Sequence, residues 1–519
     1  MEALTPGTVT TQRACRSTGT IRAGAAGCTA KEVAGAGGGP HYRAVPRTPL
    51  AHPDRLLPGD PATRAIARDL YGSVRAAPIV SPHGHVPASL LLEDAPFPDP
   101  ATLLITPDHY VTRLLHADGV ALEDLGLRQG GAPADPPTEA TARGIWQILC
   151  ERWEVTAGTP VRLWLASELT EVFGVDERPS GSTAQRLYDA IATRLAEPAF
   201  RPRALFERFG IDVLATTDDP CDDLAAHAAL DQVPGLSGRV RPAFRPDAYL
   251  DPGRPTWPAD LARLAAAADT DTRHYDGYLA ALEARRRHFL AHGATTADHG
   301  HVDAGTEPLG RADAERIHAA GLTGEVTEAE AAAFRRHMLS EMARMSCDDG
   351  LVMTLHPGVL RGHHRPTAAR FGPDTGHDIP VRLELTRALR PLLERYGTYP
   401  GFHLVVFTVD ETVWSRELAP LAGFYPCCYV GVPWWFLDAP DAIRRFHEAV
   451  TETAGFSRLS GFVDDTRAFC SIPARHDMSR RLDAGMLARL VVEHRLEEDE
   501  AATIAARLAG PQTRAVFKL

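Results

Sequence analysis

The stretch Ala77-Pro-Ile-Val-Ser-Pro-His-Gly-His-Val86 places two histidines, His83 and His85, directly after a short apolar run. On an extended strand, side chains two positions apart point to the same face, so both imidazole rings can reach one metal ion. The pair alone is weak evidence, because polar residues hydrogen-bonded to loop carbonyls at a strand end would show the same pattern. The metal interpretation therefore needs further ligands and a suitable scaffold elsewhere in the chain.

The composition indicates a large folded protein and argues against two classes of partner. The chain has 519 residues, of which 44% are hydrophobic, so it can bury a large core. A formal net charge of -12 and the lack of any Lys/Arg run argue against nucleic acid. No apolar run in the sequence is long enough to span a bilayer, so we expect no membrane partner. The sequence leaves open whether the chain forms a homo-oligomer.

Cysteine and lysine usage narrows the chemistry. The eight cysteines form no CxxC pair, which predicts reduced thiols in a cytoplasmic protein. Of the 55 basic residues only Lys31 and Lys518 are lysines, and neither can sit inside a barrel core. A Schiff-base lysine, a P-loop lysine or a carboxylated lysine bridging two metals is therefore not expected. A mononuclear metal site remains open.

Residues 1–50 differ from the rest of the chain. They are rich in Gly, Ala, Thr and Arg, and they lack any periodic apolar pattern. This predicts a disordered N-terminal extension, or a start codon assigned too early, and places the folded protein at 51–519.

Apolar runs alternate with helical patterns through the rest of the sequence, which predicts a (β/α)8 barrel. The predicted helices include 273–291, 327–346 and 379–395, and the second opens with the capping-box pattern Thr327-Glu-Ala-Glu330. The segment at about 90–205 shows i, i+3, i+4 apolar spacing and predicts a helical subdomain inserted after the first strand, with a separate domain as the alternative. The predicted strands are 78–83, 211–217, 239–244, 293–298, 351–356, 403–408, 428–432 and 459–464.

Polar residues of the metal-ligand or acid-base type follow nearly every predicted strand. In a barrel of this kind the chemistry lies at the C-terminal ends of the strands. The residues at these ends are Ser81-Pro-His-Gly-His85, Thr216-Thr-Asp-Asp-Pro220, Arg245-Pro-Asp247, Asp298-His299, His356 and Asp464-Asp-Thr-Arg467.

Several segments, in order along the chain, resemble the uronate isomerases (glucuronate/galacturonate isomerases) of the amidohydrolase superfamily. The resemblance covers about residues 60–510 and implies a distorted (β/α)8 TIM barrel of the metal-dependent hydrolase type. The segments that carry it include Asp108-His-Tyr110, Pro242-Ala-Phe-Arg-Pro-Asp247, Met353-Thr-Leu-His-Pro-Gly-Val-Leu-Arg361, Trp434-Trp-Phe436, Asp465-Thr-Arg467 and Arg475-His476.

The resemblance also implies a set of site residues around one divalent ion, usually Zn²⁺. Its expected metal ligands are His83, His85 and Asp465, with His356 as a further ligand. Proton transfer is expected of Asp465 or a metal-bound hydroxide together with Tyr110 or His109. The arginines expected to bind the substrate are Arg245, Arg361, Arg467 and Arg475.

The implied reaction interconverts D-glucuronate with D-fructuronate, or D-galacturonate with D-tagaturonate, in sugar-acid catabolism. Moving a proton from C2 to C1 through a cis-enediol requires a base, an acid and stabilisation of an oxyanion. The alternative is a mononuclear metal-dependent hydrolase that acts on an acidic sugar-like ester, lactone or amide. The substrate stays open because the chain departs from the family pattern, with Ser81 where the family usually has an aspartate before the first metal histidine.

Overall fold

Short apolar segments form the strands of the fold, and most of them run parallel. The structure is a computed structural model that describes residues 49–128 and 138–519, so residues 1–48 of the expected extension lie outside the described part. The described strands are β1 (Ile79–Ser81), β2 (Ile211–Ala215), β3 (Arg239–Arg241), β4 (Thr296–His299), β5 (Val352–Leu355), β6 (Val359–Leu360), β7 (Ile379–Pro380), β8 (Leu404–Val406) and β9 (Cys428–Val430).

The parallel strands form two sheets that are linked by single bridges. One sheet has the order β1-β2-β3 and the other has the order β4-β5-β8-β9. Phe244, just after β3, pairs with Asp218 on one side and with Ala297 of β4 on the other. The strand residues are almost all buried, as expected for parallel strands that are covered on both faces. The protein therefore has an α/β fold in which seven of the eight predicted strands form.

The eighth predicted strand, 459–464, is the exception. Only Leu459 makes a bridge, to Val430, and Ser460 N donates to Val430 O at 2.9 Å. Gly461 then adopts φ of 78°, which lies outside the extended region and interrupts the ladder. A residue with a side chain does not fit at this position, because a Cβ built there would clash with Oγ1 of Thr513.

Helices connect and surround the strands. No helix in the described part of the chain is long and apolar enough to cross a bilayer. The helices are α1 (Pro61–Val74), α2 (Ala88–Glu93), α3 (Pro100–Leu104), α4 (His109–Ala117), α5 (Glu139–Glu151), α6 (Pro160–Ser167), α7 (Ala184–Leu195), α8 (Pro202–Arg208), α9 (Ala225–Leu230), α10 (Trp257–Ala268), α11 (Tyr275–Ala291), α12 (Arg311–Thr323), α13 (Glu328–Asp349), α14 (Arg365–Phe371), α15 (Arg390–Tyr396), α16 (Ala419–Phe424), α17 (Pro440–Ala454), α18 (Ile472–Val492), α19 (Glu498–Leu508) and α20 (Pro511–Phe517).

The predicted helix at 379–395 is wrong in its first half. Ile379 and Pro380 instead form β7, which pairs antiparallel with Leu360 and Val359 of β6. Pro380 lacks an amide hydrogen and restricts the residue before it, so the chain stays extended here. The helix begins only at Arg390. The hairpin of β6 and β7 frames the segment 361–378, which lies beside the site described below.

The long segment between β1 and β2 is helical and contains α2 to α8. Tyr110 of α4 and Trp164 of α6 are buried and pack edge to face, with ring centroids 5.4 Å apart. The guanidinium of Arg475, from α18, lies 3.6 Å from the Trp164 ring centroid. These contacts pack the helical segment against the element that follows the last predicted strand. The inserted helical subdomain stays a prediction, and so does its alternative, a separate domain.

The capping box predicted at the start of α13 forms in the structure. Thr327 Oγ1 accepts a hydrogen bond from Glu330 N, and the Glu330 side chain accepts one from Thr327 N. We expect Thr327→Ala to lower the free energy of unfolding by about 1 kcal/mol, because the amide of Glu330 loses the hydroxyl oxygen that caps it. Urea unfolding followed by circular dichroism measures this change. Thr327→Ser keeps the hydroxyl and is the control, so an equal loss in both variants would contradict the capping role.

Candidate active site

The residues that follow the strands converge on one cavity of about 470 Å³. The predicted site residues that line it are His83, His85, His109, Tyr110, Arg245, His356, Arg361, Asp465 and Arg467. The sequence therefore identified nine residues that the fold brings together from positions up to 384 residues apart, between His83 and Arg467. Arg475 is the one predicted site residue that is absent from this lining.

Two histidines and one carboxylate form the centre of the cavity. The carboxylate oxygen Oδ1 of Asp465 lies 3.3 Å from Nε2 of His83 and 3.0 Å from Nε2 of His85. This oxygen is buried and makes no hydrogen bond of ordinary geometry within the described residues. Two imidazole nitrogens and a carboxylate oxygen are a donor set that suits zinc and related divalent ions. The three side chains therefore fit a metal ion.

His356 lies beside this group and is oriented by a buried aspartate. Its ring stacks on His83, with centroids 4.8 Å apart, and on Phe407 at 4.3 Å. Nδ1 of His356 is 2.7 Å from Oδ1 of Asp298, which also accepts a hydrogen bond from Thr354 Oγ1. Nε2 of His356 is buried without a partner in the described residues. A carboxylate on one ring nitrogen leaves the other free to accept, which is the usual arrangement of a histidine that binds a metal.

The charges of this centre stabilise its ionised carboxylates. Burial opposes ionisation of Asp465, but His83 and His85 hold the pKa of its carboxyl well below the ordinary value. Burial also opposes ionisation of Asp298, and there His356, His83 and Arg245 hold the pKa well below the ordinary value. Both groups are therefore carboxylates at neutral pH.

Asp465 has an unusual backbone conformation. Its φ is 40°, in the left-handed region that residues other than glycine rarely occupy. Such a conformation costs about 1–3 kcal/mol and persists only where the surroundings enforce it. The next residue, Thr466, is held on both sides: its carbonyl accepts from His85 N at 2.9 Å, and its hydroxyl accepts from Ala468 N at 3.0 Å. This strained backbone conformation places the Asp465 carboxylate against the two histidines.

His109 and Tyr110, at the start of α4, form an aromatic wall of the cavity. Their rings stack with centroids 4.8 Å apart, and Trp435 lies edge-on to His109 at 5.4 Å. Burial, followed by the nearby Arg467, lowers the pKa of His109 to about 3, so its ring is neutral at pH 7. Burial also raises the pKa of Tyr110 well above its ordinary value, so its hydroxyl keeps its proton. Neither ring nitrogen of His109 has a partner in the described part of the chain.

Two predicted arginines meet at one carboxylate. Asp374 lies between them, with Oδ1 at 3.3 Å from Nη1 of Arg361 and Oδ2 at 3.2 Å from Nη2 of Arg467. Asp378 adds a second contact to Arg361 at 3.2 Å and also accepts from Gly362 N. The two guanidinium groups thus lie next to each other on the cavity wall.

The other two predicted arginines are engaged differently. Arg245 lies 3.1 Å from Asp247 and 3.3 Å from Asp298, so its guanidinium joins the cavity wall to the group around His356. Arg475 is fully buried, and its Nη1 lies 2.5 Å from Oδ2 of Asp438. Its guanidinium is 4.9 Å from the Tyr110 ring centroid, behind the wall rather than on it. The structure therefore does not bring Arg475 to the cavity surface.

Several residues of the site have no role among the sequence predictions. Asp298 and Asp247 lie near the ends of predicted strands, and this position indicated that they could belong to the site. Their pairing with Arg245 and His356 became visible only in the folded structure. Asp374 reaches the site from a loop between two strands that the sequence did not predict. Trp434 and Trp435 line the cavity while almost fully buried. No local pattern distinguished these tryptophans from core residues.

Comparisons with known proteins show the family of this chain. The family model for glucuronate isomerase matches residues 61–508. The chain belongs to the glucuronate isomerase family. A uronate isomerase of Corynebacterium efficiens is 53% identical over 470 residues, which cover 90% of this chain and 99% of the relative. A uronate isomerase of Cutibacterium acnes is 52% identical, covering 90% of this chain and 98% of the relative.

Solved structures show the same family resemblance. The crystal structure of glucuronate isomerase from Caulobacter crescentus superimposes with a TM-score of 0.87 at 45% identity, and covers 91% of this chain and 97% of that one. Uronate isomerase from Thermotoga maritima gives a TM-score of 0.82 at 25% identity, with coverage of 89% and 98%. The resemblance inferred from the motifs is therefore confirmed, and the family's α/β fold extends over nearly all of the described residues.

Proposed function

We propose that this protein is a uronate isomerase that interconverts D-glucuronate with D-fructuronate, D-galacturonate with D-tagaturonate, or both. The observation that carries the proposal is that one cavity holds both the Asp465 centre and the arginine pair Arg361 and Arg467. The first provides a carboxylate base at a metal-binding group, and the second provides an anchor for an anionic sugar. The relatives that this chain matches over nearly their whole length are named as isomerases. The alternative function, a hydrolase, is therefore not favoured.

The substrate carboxylate binds at Arg361 and Arg467. Guanidinium groups bind carboxylates through paired, charge-assisted hydrogen bonds, and these two lie on the cavity wall. Asp374 holds them side by side but takes up one nitrogen of each, so other nitrogens stay available to the substrate. Arg245 belongs instead to the group around His356. There it pairs with Asp298 and contributes positive charge near the reacting oxygens.

Asp465 carries the proton between the two carbons. Its carboxylate takes the hydrogen of C2 as a proton, and the electron pair of that bond forms the C1–C2 double bond of the cis-enediol while O1 gains a proton. The proton of the O2 hydroxyl then leaves, and C1 receives a proton, so the ketose forms with no net gain or loss of atoms. Tyr110 holds a proton, and neutral His109 can both donate and accept, so this pair serves the two oxygens.

One divalent ion, which we propose to be Zn²⁺, is held by His83, His85 and Asp465, with His356 as a further ligand. The unpartnered Oδ1 of Asp465 and Nε2 of His356 support this set. When bound, the ion supplies Lewis-acid polarisation of the substrate oxygens. Asp298 holds the His356 ring in the required orientation.

We also propose that the strands close into one distorted (β/α)8 barrel. The bridges through Phe244 join the two sheets, and Leu459 extends the second sheet beyond β9. The hydrogen bond from His85 N to Thr466 O links the end of the first strand to the end of the last segment, and Val80 and Phe462 line one small cavity. These contacts support a closed ring whose eighth member is irregular.

The reaction is tested by NMR in deuterated water with the zinc-reconstituted protein and each of the two uronates. We expect ketose formation and exchange of the C2 hydrogen of the aldose for deuterium, since the proton held on Asp465 can exchange with water in the cavity before it returns to carbon. Neither product nor exchange with either sugar would refute the isomerase. A lactone or ester substrate is added in parallel, and its hydrolysis without exchange would support the alternative.

Replacing Arg467 by Met should raise KM for the uronate by about 10–100-fold, because a charge-assisted hydrogen bond is worth about 1.5–3 kcal/mol. The neutral side chain keeps much of the arginine's length but cannot pair with a carboxylate. Initial-rate kinetics measure the change. Arg445→Met, at an exposed arginine that pairs with Glu411, is the matched control and should leave KM unchanged. A normal KM in the Arg467 variant would place the carboxylate elsewhere.

A further inference from the structure

We propose that His476 is a positioning residue of the active site, which acts on Asp465 through the side chain of Asp464. Nε2 of His476 lies 3.0 Å from Oδ2 of Asp464, and both side chains are buried. Asp464 precedes the strained Asp465 in the chain, so its side chain controls one end of the peptide that carries the metal-binding carboxylate. The inference rests on the proposed function, because it concerns the metal-binding role of Asp465.

His476 acts from outside the cavity. It is absent from the residues that line the active-site cavity, while Asp465, Thr466 and Arg467 all belong to that lining. Its ring instead lines a small cavity of about 10 Å³, and Phe462, which also lines it, packs edge-on to the ring with centroids 4.9 Å apart. A residue so placed cannot touch the substrate, so any effect on the reaction passes through Asp464.

The strained backbone of Asp465 explains why the contact between His476 and Asp464 is needed. A non-glycine residue at φ of 40° relaxes unless both of its neighbours are held. On the C-terminal side, the carbonyl of Thr466 is held by the amide of His85. On the N-terminal side, the carbonyl of Asp464 has a long contact of 3.4 Å from Nη1 of Arg475, so the side-chain contact to His476 at 3.0 Å is the shorter attachment.

α18 gives His476 a rigid base. The helix runs from Ile472 to Val492, and most of its residues are buried. Arg475, the residue before His476, donates from Nε to Oγ of Ser471 at the N-cap of α18, and this Oγ lies 3.2 Å from Thr466 Oγ1. The segment 464–466 is thus attached to α18 at both ends. Removal of the His476 contact leaves the end at Asp464 with the longer contact from Arg475.

The test measures zinc affinity and kinetics in parallel. Metal-free wild-type protein and variants are titrated with Zn²⁺ against a chromophoric chelator, and kcat and KM are measured on the reconstituted protein. His476→Leu removes the donor, and His476→Gln puts an amide N–H near the place of Nε2. His447→Leu is the matched control, since His447 is another buried histidine beside a carboxylate, 3.2 Å from Asp483, with no contact to the cavity.

We expect His476→Leu to weaken zinc binding and lower kcat by about 10–100-fold each, with KM changed by less than about threefold, as for residues that orient a metal ligand. His476→Gln should recover most of both losses, and His447→Leu should show neither. Asp464→Ala combined with His476→Leu should cost no more than Asp464→Ala alone, because both remove one contact. Circular dichroism establishes that each variant is folded.

The possible failures are separable. If folded His476→Leu binds zinc as tightly as wild type with normal kcat, the positioning role is wrong while the proposed function stands. If His447→Leu shows the same losses, the effect is general destabilisation and the positioning role is again refuted. If wild-type protein binds no zinc, the proposed metal centre fails and the inference fails with it.

Discussion

The variant His85→Ala is expected to lose stoichiometric metal and, with it, at least about 100-fold in kcat, because Lewis-acid stabilisation contributes several kcal/mol and each 1.36 kcal/mol is tenfold in rate. Nε2 of His85 is one of the two imidazole nitrogens within 3.3 Å of Oδ1 of Asp465. Alanine leaves one histidine and the carboxylate, with only His356 to add to them. The variant should remain folded, since the His85 ring is partly exposed and the strand before it is unchanged.

Metal content after dialysis, measured by plasma mass spectrometry, tests this expectation directly. His364→Ala is a matched control, because His364 is an exposed histidine whose ring nitrogen Nδ1 lies 2.7 Å from Oγ1 of Thr367, and it lies outside the cavity lining. Full metal occupancy in the His85 variant would refute the assigned centre. Full occupancy with activity lost would instead assign His85 to the substrate.

The sequence predicted the centre of the site because the residues there are constrained locally. His83 and His85 are the second and fourth residues after β1, and on an extended chain this spacing favours both rings on the same face. Asp465 lies 380 residues after His85, and only the resemblance to a family joined it to the histidines before the fold did. The arginine pair was also found, but the carboxylate between its members was not. Asp374 comes from a loop whose path depends on tertiary contacts.

The fold was predictable where the apolar pattern is regular and less so where single residues override it. The strands β1 to β3, β5, β8 and β9 fall within predicted runs, and β4 ends one residue after its predicted run, since buried parallel strands are short apolar runs. Gly461 breaks the last run through its positive φ, and Pro380 turns the start of a predicted helix into a strand. Arg475 resembled a substrate arginine, yet its partner Asp438 lies on another element. The sequence around one residue does not show which residue of another element it will pair with.

Asp465→Asn should lower kcat by about 10²–10⁴-fold, the usual contribution of a general acid-base group. The amide keeps an oxygen near His83 and His85 and nearly the same shape, but it cannot take a proton from C2. The pKa of the Asp465 carboxyl is held well below its ordinary value, so the wild-type group is ionised throughout the neutral range. The expected loss is therefore the same at pH 6 and pH 8.

Two measurements separate proton transfer from metal binding in this variant. Zinc content is determined at saturating metal, and deuterium exchange at C2 is followed with the loaded protein. A loaded variant without exchange assigns the proton transfer to Asp465, whereas a loaded variant with normal exchange would leave the transfer to another group in the cavity. Asp483→Asn is the matched control: Asp483 is a buried carboxyl whose pKa burial raises to about 7, and it lines only the small cavity beside His476. The control should keep normal exchange, because Asp483 is not among the residues that line the cavity around Asp465.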